Sequence, residues 1–303
     1  MNAFACQYFL GQAQRYDMAD AKAEKDCPRA FGKYALNYKP DSRDPREKLF
    51  RATPYFARNV KLPSRVDLRE NLPEPLEIYD QGSFGACVSH SVANSLRFVV
   101  TNQAKDTDPD NDVPLTFRPS RFFVYWNARK KAKLPPDEDT GVGIRDAFAA
   151  VSDYSACSED LWPYVGENIF KEPPPEAYKD AEKHPYFVSL RLSQDAYAVK
   201  LCLHQGYPIS IGLQIYDSFL SEEVAKTGNV PMPDVEKENA AGGHALTIVG
   251  YETNSEDTAA DDVFLVLNSW GPEWGDHGVC RIPVQYILHP ALCDDFHSLR
   301  EFY

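Results

Sequence analysis

Apolar residues recur along this chain in two rhythms. From Cys87 onward Val88, Val92, Leu96 and Val99 return at helical spacing, give one apolar face and predict a helix over 87–101. Gly82 and Gly85 supply a tight turn just before it. An aromatic-rich run over 120–131 and a run near 144–154 predict two further helices. The rhythm then changes. Segments 208–214, 245–251, 263–267 and 279–282 are short, apolar and bounded by turn residues, which predicts strands. Helices first and strands later is the order of an α+β fold. The stretch Pro173-Pro174-Pro175 reads as a surface loop, and so do 135–139 and 40–46. Residues 1–60 follow neither rhythm. They are polar and charged, with small apolar patches at Tyr34-Ala35-Leu36 and Phe50, and read as an extension laid on a domain.

Composition narrows the function classes. The 303 residues are 43% hydrophobic and 25% charged, which suits a globular chain with a sizeable core. A net charge of −13 argues against nucleic acid or an anionic membrane as the main partner. No stretch approaches the length of apolar sequence that spans a bilayer. The N-terminus lacks the basic start and continuous apolar core of a secretory signal. Seven scattered cysteines (6, 27, 87, 157, 202, 280 and 293) form no CxxC pair, so a zinc ribbon or thioredoxin motif is not expected. Mostly free thiols in a reducing compartment such as the cytoplasm are predicted, with one or two disulfides left open. A virion or non-classical export is compatible with the same features. The acids Asp106, Asp108, Asp110 and Asp112 alternate as in an EF-hand loop. Asn111 and Phe117 stand where that loop needs Gly and Glu, so a solvated loop is expected. No metal or organic cofactor is implied.

One cysteine stands apart. Cys87 lies where the Gly-rich turn Gln81-Gly82-Ser83-Phe84-Gly85-Ala86 enters the helix, so its sulfur would feel the positive helix end that favours a thiolate. Gln81 lies across the turn, and its amide can point at an oxyanion beside the Cys87 N–H. The other six cysteines read as small buried hydrophobes. Far downstream come Gly243-His244-Ala245 and then Asn268-Ser269-Trp270-Gly271.

Together these blocks resemble the papain-like (C1) cysteine peptidase family, whose His and Asn follow the Cys at long range in this order. The segments around Leu62-Pro63, Glu159-Asp160-Leu161-Trp162-Pro163-Tyr164 and Pro208 to Gln214 resemble further family blocks, and the likeness spans about residues 62–285. It implies a two-lobed fold with a helical lobe over about 62–185, a β-barrel-like lobe over about 186–303 and the active site between them. It implies Cys87 as nucleophile, His244 as its base, Asn268 orienting the imidazole, Gln81 in the oxyanion hole and Trp270 shielding the His–Asn bond from water. Gly141 and Val142 would pair with the backbone of a peptide or protein substrate. Gly212, Gly243 and Ala245, all small, would line a roomy pocket for a bulky apolar side chain. Phe84 and Val88 stand where the family usually has Cys and Trp. Residues 1–61 are expected to cover the cleft as an intramolecular inhibitor, making a zymogen. The activity implied is that of an endopeptidase. A non-catalytic peptide-binding homologue and another Cys–His acyl-transfer enzyme are the alternatives.

Overall fold

A computed structural model describes residues 34–42, 44, 47–50, 60–72, 76–107, 117–184, 186–253 and 262–301. The chain parts into Met1–Gly32 and Lys33–Tyr303, and all described residues belong to the second unit. Cys6, Cys27 and the acidic run from Asp108 onward lie outside the described residues.

The helices are α1 (Cys87–Thr107), α2 (Arg121–Lys131), α3 (Ile144–Tyr154), α4 (Pro175–Ala181), α5 (Ala196–His204), α6 (Glu222–Thr227) and α7 (Val284–Ile287). The strands are β1 (Arg65–Asp67), β2 (Phe187–Arg191), β3 (Ile209–Tyr216), β4 (Ala240–Glu252), β5 (Val263–Leu267), β6 (Val279–Pro283) and β7 (Cys293–Glu301). They form one antiparallel sheet in the order β2-β7-β3-β4-β5-β6, with β1 added on β4. The α+β expectation therefore holds.

Local chemistry explains several boundaries. Ser120 caps α2 by accepting the Phe123 N–H at 3.1 Å, which satisfies a donor the helix leaves unpaired. The Pro173-Pro174-Pro175 stretch does not stay a loop, because Pro175 occupies the first turn of α4, where a missing N–H costs nothing. Helix α1 runs past residue 101 and takes in Asp106.

Helix α1 meets the sheet through small polar residues. The Ser91 hydroxyl donates to the Leu246 carbonyl at 2.8 Å and lies 2.8 Å from the Ser210 hydroxyl, while Thr247 donates to the Ser91 carbonyl at 3.3 Å. Short side chains let the helix approach β3 and β4 closely, and buried hydroxyls that find partners fix its position along them. Ser91 lies one helical turn after Cys87, on the same face. Leu246 follows His244 and Ala245 on the strand. The seam thus carries the start of the helix to the histidine strand. On its other side α1 joins α2 and α3 in a core that includes Leu96, Phe122, Phe123, Phe148 and Val151, all buried.

Candidate active site

The loop before α1 is held from three sides. Gly82 takes a left-handed φ of +59°, and its N–H donates to Asp80 Oδ1 at 2.8 Å. The Gln81 N–H donates to the Ser269 carbonyl at 2.8 Å, tying the cysteine loop to the asparagine loop. Asp139 accepts the Gly85 N–H at 2.7 Å and the Tyr125 hydroxyl at 2.5 Å. Phe84 packs edge-on against Phe122 and Tyr164. Cys87 itself is fully buried at the first position of α1.

The base and its partner are locked by a shared acceptor. Asn268 Oδ1 accepts the Ser269 N–H at 2.8 Å, which fixes the amide with its oxygen toward the histidine. His244 Nε2 lies 2.8 Å from the same oxygen and must be the protonated nitrogen. His244 Nδ1 is left buried, with no hydrogen-bond partner among the described residues. The Ala245 N–H, next in the chain, lies near enough to the Cys87 sulfur to favour its thiolate. Trp270 is 1% exposed and lies tilted over the imidazole at 5.0 Å between centroids. Gln81 Oε1 accepts the Ser269 hydroxyl at 2.6 Å, so its Nε2 faces away, toward the carbonyls of Phe84 at 2.9 Å and Ala35 at 3.1 Å. The structure thus gathers Gln81, Cys87, His244, Asn268 and Trp270 in one place. His90, one turn along α1, is committed elsewhere: its Nδ1 lies 2.8 Å from the Ala86 carbonyl and its Nε2 3.3 Å from Arg121.

Residues 34–42 lie along this groove. Tyr34 stacks on Trp270 at 4.9 Å and 9°, and its hydroxyl donates to the Trp270 carbonyl at 2.8 Å. Asn37 pairs with Gly243 in parallel register, and the Tyr38 N–H donates to the Gly243 carbonyl at 3.1 Å. The Asn37 main chain runs so near Gly141 that a methyl on that glycine would stand 2.1 Å from the Asn37 oxygen. The Tyr38 ring rests on Gly212, where a methyl would stand 2.0 Å away, and packs against Gly243. Val142 turns its side chain into the core at 1% exposure, so only its main chain is available to the groove. Farther on, the Arg145 N–H at the start of α3 donates to Asp41 at 2.9 Å, and residues 48–50 run beside β2 with the Phe50 N–H on the Arg191 carbonyl at 2.8 Å.

Burial sets the protonation states. Burial pushes the Cys87 thiol up to about 11, against main-chain N–H groups of Ala245, Val88 and Asn37 that pull it down. Burial likewise pushes the His244 imidazole down to about 4, against the bond to Asn268. The pair is therefore neutral near pH 7. Raising the thiol from 9.0 to about 11 leaves about 100-fold less thiolate at neutral pH. Iodoacetamide should accordingly label Cys87 of the intact chain slowly at pH 7, with a rate that climbs toward pH 11 and does not level off near 9. Peptide mass mapping against pH reads this directly.

The sequence compares with known proteins along nearly its whole length. An uncharacterized peptidase C1-like protein of Acanthamoeba polyphaga mimivirus is 33% identical over 282 residues, covering 88% of this chain and 86% of the relative. The chain belongs to the papain family of cysteine peptidases. The model of that family, described as papain family cysteine protease, matches residues 139–288. A cathepsin B-like protein of Giardia intestinalis is 25% identical over 243 residues, covering 74% of this chain and 70% of that protein. Among solved structures, xylellain, a cysteine protease from Xylella fastidiosa, superposes with a TM-score of 0.75 at 28% identity, covering 89% of this chain and 97% of that one.

Within this papain-family chain, Phe84 and Val88 find their own packing. Val88 is fully buried in the helical core, and the Asp139 bonds hold the loop without a disulfide. The five described cysteines, at 87, 157, 202, 280 and 293, are free thiols. Sequence reading missed Asp139, Ser269, Asn37 and Tyr38 as parts of the site, and with them Asp294 and Asp295, which meet the Tyr38 hydroxyl. The pair Asp294-Asp295 was detectable as two acids inside the otherwise apolar run from Leu292 to Phe296. The patch Tyr34-Ala35-Leu36 was visible, but its place in the groove depends on long-range pairing.

Proposed function

We propose that this papain-family chain is a cysteine endopeptidase produced in a self-covered form. The observation that carries the reading is the double acceptance at Asn268 Oδ1, which leaves His244 Nδ1 as the unprotonated nitrogen, on the strand residue next to Ala245, whose N–H lies near Cys87.

The chemistry follows from the atoms in place. His244 Nδ1 takes the Cys87 proton, and the sulfur adds to the scissile carbonyl carbon. The carbonyl electron pair moves to oxygen, where Gln81 Nε2 and the Cys87 N–H donate to it. Collapse re-forms the carbonyl, breaks the C–N bond and passes the Nδ1 proton to the leaving amine. The resulting thioester is attacked by water, which gives its proton to His244. Collapse then releases the carboxylic acid and restores the thiol.

Endopeptidase rather than end-trimming activity is supported by the run of residues 34–42. They form a continuous chain from Trp270 across the sulfur to Gly212, so the groove accepts a polypeptide that continues on both sides. Self-covering is supported by the same segment. Its Ala35 carbonyl holds Gln81 Nε2, and the Asn37 N–H, a donor rather than a carbonyl carbon, lies near the sulfur.

The test is labelling with an epoxysuccinyl thiol reagent, mapping of the modified residue, and turnover of a dipeptidyl fluorogenic substrate, on the intact chain and on chain trimmed by limited proteolysis. Label at Cys87 together with turnover is expected, both stronger after trimming. Neither label nor turnover in either form would make the protein a non-catalytic binding homologue. Label at Cys87 without peptide turnover would point to another acyl-transfer reaction.

A further inference from the structure

The peptide between Ala86 and Cys87 has two working ends. Its N–H is the first of α1, which has no carbonyl within the helix to bond, and it is the main-chain donor to the oxyanion. Its C=O points the opposite way across the same plane. That oxygen is approached three times: by the His90 N–H at 3.1 Å, by the Ser89 hydroxyl at 2.9 Å and, most closely, by His90 Nδ1 at 2.8 Å. Ala86, Ser89 and His90 are all fully buried.

The tautomer of His90 is set from behind. Arg121 opens α2, and a guanidinium can only donate. Its Nη1 lies 3.3 Å from His90 Nε2, so Nε2 accepts and the ring proton sits on Nδ1, facing the Ala86 oxygen. Arg121 is itself clamped. Its main-chain N–H and its Nε donate to Glu159 Oε2 at 3.1 and 3.2 Å, and Nη2 donates to Oε1 at 2.6 Å. Its guanidinium carbon lies 4.3 Å from the ring centres of both Tyr79 and Tyr164. Glu159 neutralises this charge and also accepts the Tyr164 N–H at 3.0 Å, while the Tyr164 hydroxyl donates to the Gln81 carbonyl at 2.9 Å. One buried ion pair therefore steadies both ends of the turn from Gln81 to Cys87. Burial and the Arg121 charge push the His90 imidazole well below the ordinary histidine range, which keeps it a neutral donor.

We propose that His90 is a positioning residue for the oxyanion hole: held as the Nδ1–H tautomer by Arg121, it fixes and polarises the Ala86–Cys87 peptide so that the Cys87 N–H donates more strongly to the developing oxyanion. The inference rests on the peptidase reading of that N–H. A supporting bond strengthens the next donor in a chain by about 10–30%, and a whole oxyanion donor is worth about 100- to 1,000-fold in kcat, so the contribution of His90 is about 2- to 8-fold.

The test compares His90→Leu with His90→Asn in the full chain carrying Tyr38→Ala. Asparagine puts an N–H where Nδ1 stood and can turn its oxygen to Arg121; leucine does neither. His90→Leu should lower kcat by about 2- to 8-fold with KM unchanged. It should weaken inhibition by a peptide aldehyde, whose oxygen enters the same hole, by the same factor. His90→Asn should recover most of both losses, and His90→Phe is the second donor-free variant. The Kd of the matching uncleaved peptide, measured on the Cys87→Ala forms, should not move. Peptide Kd and aldehyde inhibition weakening alike, or asparagine performing no better than leucine, would overturn the inference, because altered packing alone would do either. A further readout needs no turnover. In the unsubstituted chain, the nitrogen NMR spectrum of labelled histidine should show His90 protonated at Nδ1 only, without titration between about pH 5 and 8. The Cys87 amide proton should move upfield in His90→Leu and stay in place in His90→Asn. These spectra without turnover in any form would remove the peptidase reading and leave the polarised peptide standing. A proton on Nε2, or a Cys87 amide indifferent to His90→Leu, overturns the inference whatever the turnover.

Discussion

Replacing Cys87 with alanine is expected to lower peptide turnover by about 10⁵- to 10⁶-fold, to the level left when a covalent nucleophile is removed. The expectation follows from geometry. Cys87 is the described thiol at the start of a helix, with the Ala245 N–H of the histidine strand near it. Cys157, Cys202, Cys280 and Cys293 are buried in other parts of the fold and cannot take over. The fold should survive, because the change removes one sulfur from a well-packed site. Unchanged melting with lost turnover is therefore the signature. Asn268→Ala should cost less, about 10- to 100-fold, since it frees the imidazole to turn but leaves thiol and base in place. A Cys87→Ala chain that keeps even a tenth of the rate would remove the basis of the assignment.

The second large effect has the opposite sign. Tyr38→Ala in the intact chain is expected to raise turnover by about 100- to 1,000-fold. Losing a buried aromatic side chain costs about 3–5 kcal/mol, and each 1.4 kcal/mol shifts a covered-to-open equilibrium tenfold. Tyr38 is 7% exposed, seated on Gly212, and bound through its hydroxyl to Asp294 and Asp295. Burial and those two carboxylates push its pKa far up, so the hydroxyl stays a donor at any working pH. Tyr38→Phe keeps the ring and drops the donor, and should raise turnover by a smaller factor. Initial rates at fixed enzyme concentration measure both. Rates unchanged by Tyr38→Ala would mean that the segment does not govern access.

What the sequence revealed and what it hid divide along physical lines. Helix α3 and strand β5 have the limits read from their periodicity, because each buries one clean apolar pattern. The four residues Gln81, Cys87, His244 and Asn268 were legible because each sits in a distinctive local block. Strand β7 was not, since Asp294 and Asp295, which meet the Tyr38 hydroxyl, break its apolar rhythm, and β2 and α5 were missed as well. Helix α4 hid behind three prolines, one of which starts it. The place of Tyr38 was out of reach for a different reason. Its partners Gly212, Gly243 and Asp294 lie far along the chain, and local patterning carries no information about such pairings.

The seam of hydroxyls between α1 and the sheet has a mechanical consequence. Ser91, Ser210 and Thr247 bond in fixed directions, so helix and strand cannot slide past one another by fractions of a residue without breaking several bonds at once. Greasy contacts would permit such creep. The two walls of the groove thus behave as one rigid vice whose jaws stay set, and under the self-covered reading only residues 34–42 need to move to open it.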